Sequence, residues 1–131
     1  MEGTVLLILL KRIYDPAGPE GGHQYLVDRL WPRGVKKDSL QIEAWLKEVA
    51  PSTELRLWYQ HDPGKWPEFK RRYFAELELR PEFWRPLLNA ARKGTITLLY
   101  GSRETKINNA AALKEFLEKK MGSKQPKLPN P

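Results

Sequence analysis

Gly94-Thr95-Ile96-Thr97-Leu98-Leu99-Tyr100-Gly101 reads as a strand held between two glycines. Its β-branched and apolar side chains suit a pleated, largely buried surface. The elements around it decide the fold. Two strands come before it, then several helices, and one last helix follows. That order predicts an α/β single layered domain with a short, mostly parallel sheet flanked by helices.

Working outward, Thr4 to Leu10 predicts a strand whose unbroken apolar run suggests burial on both faces, as in a central parallel strand. Asp15 to Gly22 is a loop by composition. Gln24 to Leu30 predicts the second strand, stopped by Trp31-Pro32 because proline cannot donate to a ladder. Leu40 to Leu46 fits either a strand or a short helix. Ser52 is placed to cap a helix carrying Leu55, Trp58 and Tyr59. A longer helix carries Trp66, Phe69, Tyr73 and Leu77, with Pro67 in its first turn. Pro81 to Lys93 is a further helix, with Phe83, Leu87 and Ala90 inward and Gly94 as its stop. Asn108 caps the last helix, whose stripe is Leu113, Phe116 and Leu117.

At 131 residues the chain fits one domain over residues 1–121, followed by a basic, proline-rich tail over 122–131. The formal charge is +7, and two of those charges, Lys124 and Lys127, fall in the tail, leaving five on the body. That balance favours an anionic small molecule, with weak, sequence-blind nucleic-acid binding as the lesser expectation. No helix shows the one-sided run of Lys and Arg that groove binding needs. The absence of cysteine excludes disulfides, thiolate zinc sites and a cysteine nucleophile, and fits a reducing, cytoplasmic setting. No apolar run is long enough to span a membrane. His23 and His61 make no metal-ligand spacing with the acids, and no dinucleotide or phosphate-loop fingerprint is present, so neither metal nor cofactor is expected.

The chemistry-bearing residues gather after strands. Asp28-Arg29-Leu30-Trp31-Pro32-Arg33-Gly34 follows the second strand, and Gly101-Ser102-Arg103 follows the last. In open α/β sheets ligands collect outside the carboxyl ends of the strands. Arg29, Arg33 and Ser102 there would form a bidentate anion site, with Trp31 as a stacking surface. Arg56 and Arg72 are further anion contacts, and Asn108 a polar specificity group. The opposing reading pairs the arginines internally with Asp28 or Glu76. For catalysis, Asp28 or Glu76 would be the acid or base, assisted by Ser52 or His61. Ser52 lacks the Gly-x-Ser-x-Gly elbow of a nucleophile. Glu76 is expected to pair with Arg72 or with an arginine of the 29–33 turn. Three functions stay open: an anion-binding domain, a small hydrolase or transferase, and a purely structural or nucleic-acid-binding module.

Several segments together resemble the domain-of-unknown-function 488 family, in its YeaO-like branch. They are Lys11-Arg12-Ile13-Tyr14, Leu26 to Gly34, Ala50-Pro51-Ser52 with Leu55-Arg56, Phe69 with Arg72-Tyr73 and Glu76-Leu77, Thr97 to Tyr100, and Asn108 with Ala110 and Leu113. The resemblance implies a small single-domain α/β protein with no established activity. Two departures stand out. Relatives often carry arginine at Gln24 and histidine at Asn109, so histidine-dependent chemistry at position 109 is not open to this chain.

Overall fold

The computed structural model describes residues 7–16 and 22–124, with side chains to Gly122. Four strands, β1 (Ile8–Arg12), β2 (His23–Leu26), β3 (Ala44–Trp45) and β4 (Ile96–Tyr100), form one sheet in the order β1-β4-β2-β3. Every pairing is parallel. All four carboxyl ends therefore share one edge. The helices are α1 (Thr53–Tyr59), α2 (Trp66–Glu78), α3 (Pro81–Lys93) and α4 (Asn109–Lys124), with single 3-10 turns at Lys37–Ser39, Lys47–Val49 and Pro63–Lys65.

β4, not β1, is the central strand. It enters between β1 and β2, and all five of its residues are buried. β1 is an edge strand in which only Ile8 is buried. Among the described residues it starts at Ile8 and continues past its apolar run through Lys11 and Arg12, because those residues pair with Leu99 and Tyr100. Thr4 to Leu6 and most of the 15–22 loop lie outside the described residues.

The sheet has two unlike faces. Ile96, Leu98 and Tyr100 join the main core with residues from all four helices, among them Tyr59, Tyr73, Leu87 and Leu113. Leu26, Leu99 and Ile13 face the other way, under Trp31, Leu40, Ile42 and Trp45. The segment between β2 and β3 thus covers that face in place of a helix. Trp31 belongs to this smaller core: its ring meets Trp45 edge-on with centroids 5.3 Å apart, and its N–H donates to the Val35 carbonyl.

Local signals set the helix boundaries. Ser52 Oγ accepts from Leu55 N at 3.1 Å, capping α1 as its position predicts. Asn108 Oδ1 accepts from Ala111 N at 2.8 Å and caps α4. Pro67 sits in the first turn of α2, and α3 stops at Gly94. The buried stripe of α3 is Trp84, Leu87, Leu88 and Ala91, so Phe83 and Ala90 lie at its margins. α4 runs to Lys124, past the expected start of the tail, and residues 125–131 lie outside the described residues. Among the described residues, no helix is long and apolar enough to cross a membrane.

Candidate functional site

The ladder between β2 and β4 ends in a side chain. Val27 N donates to the Leu99 carbonyl, and one residue on, Gly101 N donates to Asp28 Oδ2 at 2.8 Å. β2 is therefore shorter than the apolar run that announces it, since a carboxylate takes over as acceptor where the strand ends. The other Asp28 oxygen accepts from Asn109 Nδ2 at 3.2 Å, and the same amide reaches the Val27 carbonyl. Asp28 thus ties β2, β4 and the start of α4 together at the carboxyl edge.

A cleft of about 300 Å³ opens over this knot. Asp28, Ser102 and Asn109 line it from the strand ends and α4, while Arg56, Tyr59 and His61 line it from α1 and the turn beyond. Backbone strain places His61. Gln60 and His61 both adopt left-handed φ, at +48° and +54°. Two consecutive non-glycine residues in that region cost free energy that the surrounding structure must offset. Tyr59 donates its hydroxyl to the Ile107 carbonyl at 2.7 Å, and burial pushes its pKa up to about 12, so it stays neutral at physiological pH.

Burial also raises the Asp28 pKa above the ordinary aspartate value. The Gly101 N–H, the Asn109 amide and the charges of Arg56 and His61 oppose the shift without cancelling it. A carboxyl group whose pKa is raised by folding stabilises the protein while protonated. That contribution is complete below the unfolded value and is lost as pH rises through the folded one. Melting curves between about pH 4 and pH 8 should therefore show wild-type stability falling relative to Asp28→Asn as pH rises. A relative gain for the wild type over that range would contradict the burial argument.

The remaining sequence candidates separate. Arg29 lines the cleft, but its guanidinium donates to the Ala50 carbonyl at 3.0 Å and the Pro51 carbonyl at 3.4 Å, with Glu48 3.7 Å away. It clamps the end of β2 to the segment entering α1. Arg33 does not line the cleft; it is exposed, and its carbonyl accepts from the Tyr14 hydroxyl. Trp31 is likewise absent from the cleft wall, since its ring is used in the smaller core. Asn108 is fully buried and spent on capping, with its amide on the Glu104 carbonyl. Ser102 lines the cleft while its hydroxyl closes a small turn with Glu104.

Glu76 does not pair with arginine. Its two oxygens accept from Ser52 N at 2.9 Å and Ser52 Oγ at 2.6 Å. Arg72 turns instead to Glu68, four residues earlier on α2, and lies 4.3 Å from the Trp58 ring centre. Glu76 and Ser52 line a second cavity of about 180 Å³, whereas Asp28 and His61 line the first. Arg29 and Ala50 contribute to both walls. The four acid–base and nucleophile candidates are thus split into two separate pairs. Among the described residues, no cluster of three or more His, Cys, Asp or Glu side chains is placed to hold a metal ion.

Sequence reasoning passed over Asn109 as a contact because its neighbour Asn108 carries the cap signal. Asn109 opens α4 close to the ends of β2 and β4, where its amide reaches Asp28 and the Val27 carbonyl. Leu30 and Leu57, at the cleft mouth, gave no signal beyond being apolar.

Comparison with known proteins agrees with the resemblance. The family model described as the inactive DUF488-N3 subclade matches residues 7–130. The uncharacterised protein YeaO of Escherichia coli strain K12 is 42% identical over 110 residues, covering 84% of this chain and 96% of that protein. The uncharacterised proteins Mb3100c of Mycobacterium bovis and Rv3073c of Mycobacterium tuberculosis H37Rv are each 36% identical over 110 residues, covering 84% of this chain and 92% of theirs. No solved structure matches. A model spanning nearly the whole chain and relatives covered almost end to end make this chain a member of the DUF488 family, within the subclade described as inactive.

Proposed function

We propose that the cleft at the carboxyl edge of the sheet binds a small anionic ligand, with Arg56 as its charged contact. One observation carries this reading. Arg56 lines the cleft, and among the described residues its guanidinium makes no hydrogen bond or ion pair, whereas Arg29 beside it donates to two carbonyls and faces Glu48. An unspent guanidinium in a concave polar site is suited to bidentate recognition of a carboxylate or phosphate. The cleft volume also falls at the lower end of the range for small-molecule sites.

Binding is favoured over turnover. Both Asp28 oxygens are engaged by Gly101 and Asn109, which fits a structural tie better than a free acid or base. The description of the subclade as inactive points the same way. A small ligand is also favoured over nucleic acid. In the basic triplet 70–72, Lys70 is paired with Glu115, while Arg71 and Arg72 share Glu68.

Titrating the full chain with acetate and inorganic phosphate, followed by amide NMR, tests the reading. Shifts are expected at Gly101, Ser102 and Asn109, and Arg56→Gln should weaken them by about tenfold or more, the scale of losing a charge-assisted pair. Shifts that avoid the cleft, or that survive Arg56→Gln unchanged, would overturn it.

A further inference from the structure

The anion reading leaves the mouth of the cleft unexplained. Among the described residues five large hydrophobic side chains are exposed, and two of them, Leu30 at 67% and Leu57 at 62%, line this one cleft. They come from different segments, one just past β2 and the other on α1 beside Arg56. Pro51 and Phe69 continue the apolar wall inward. A bare inorganic anion would leave this surface in water, whereas a ligand with an apolar body would bury it.

The charge count narrows the ligand further. The Arg29 guanidinium is spent on two carbonyls and Glu48, so Arg56 is the free positive charge of the lining. Asp28 lies close enough to feel the charges of both Arg56 and His61. With the Asp28 carboxyl group this near Arg56, a ligand of one negative charge is opposed less than one of two. A dianionic phosphate would set its second charge against Asp28.

Resting on the anion-binding reading, we infer that the ligand is an apolar carboxylic acid: its carboxylate lies on Arg56, and its hydrocarbon or aromatic body is held between Leu30 and Leu57. Arg56 and Leu57 are consecutive on α1, so head and body would be read from one helix terminus and the turn facing it. Asn109 and Ser102 form the polar floor, and the leucines supply affinity by leaving water.

Binding of acetate, benzoate, phenyl phosphate and cyclohexylamine to the full-length chain, measured by amide NMR titration, tests this. Benzoate should bind about ten- to a hundredfold more tightly than acetate, the range expected for burying a ring against two leucines. It should also bind more tightly than phenyl phosphate, and cyclohexylamine should not compete. The double variant Leu30→Ser with Leu57→Ser alters only exposed side chains. It should abolish the preference for benzoate over acetate, reducing benzoate affinity far more than acetate affinity. Acetate binding that depends on Arg56, with no gain for benzoate, would overturn the apolar-acid inference and leave the anion reading standing. Tighter binding of phenyl phosphate than benzoate would overturn the carboxylate assignment alone. Benzoate binding that survives Arg56→Gln but is lost with the leucines would overturn the anion reading while retaining the apolar mouth.

Discussion

Replacing Gly22 with alanine is expected to lower the unfolding free energy by about 3 kcal/mol or more, and the melting temperature by roughly 10 °C. Gly22 opens β2 with φ +62°, and a Cβ built there would lie 2.0 Å from the Thr95 carbonyl oxygen and 2.8 Å from its carbon. Both atoms are backbone, at the entry to the central strand, so neither can rotate away. The adjacent pair His23 and Ile96 is in register, and any shift that relieves the clash must part the strands there. Gly34→Ala is the matched control. It also has a left-handed φ, +79°, but nothing lies within 4 Å of the added atom. It should cost only the backbone term, about 1 kcal/mol. Equal losses at the two positions would show that the contact with Thr95 is not tight.

The elements with local signals were legible in the sequence. β4 announced itself by composition, α2 and α3 by their proline starts, and α1 and α4 by Ser52 and Asn108. Sheet order was not legible. An apolar run such as Val5 to Leu10 reads the same in an edge strand as in a central one, and only the return of β4 between β1 and β2 separates the cases. At the site, the placement of polar residues after strand ends predicts that Arg29, Arg33 and Ser102 come together; Arg29 and Ser102 line one cleft, joined by Asp28, and Arg33 does not. The partners of the arginines were hidden for a physical reason. Arg29 is satisfied largely by main-chain carbonyls, which every residue carries and no side-chain pattern marks. Arg72 had acids at both i−4 and i+4. Glu68 rather than Glu76 takes it, because Glu76 is already held from outside the helix by Ser52.

That last contact gives the second large expected effect. Leu55 N donates to Ser52 Oγ, whose hydroxyl donates to one Glu76 oxygen while Ser52 N donates to the other. The carboxylate thus anchors the cap of α1 to α2, at the helix end where negative charge is favourable. A chain of donors ending on an ionised acceptor polarises each bond in turn. Glu76→Ala removes two charge-assisted hydrogen bonds and strips the half-buried Ser52 N–H of its partner, so a loss of about 3 kcal/mol is expected. Ser52→Ala should cost about 1–2 kcal/mol, since it forfeits the cap and one of the two bonds but keeps the other. Glu76→Gln should fall between, because an amide offers one acceptor oxygen where the carboxylate offers two. The two sites share a bond, so their losses should not add: the double variant Ser52→Ala with Glu76→Ala should be less unstable than the sum of the singles. Strict additivity would mean that the carboxylate is solvated and that something else holds α1 against α2. α1 also carries Arg56, and the strained turn presenting His61 begins where it ends. Loosening its first turn should therefore weaken the proposed anion binding in the cleft even though Glu76 lies in the other cavity. That effect distinguishes a support for the site from a member of it.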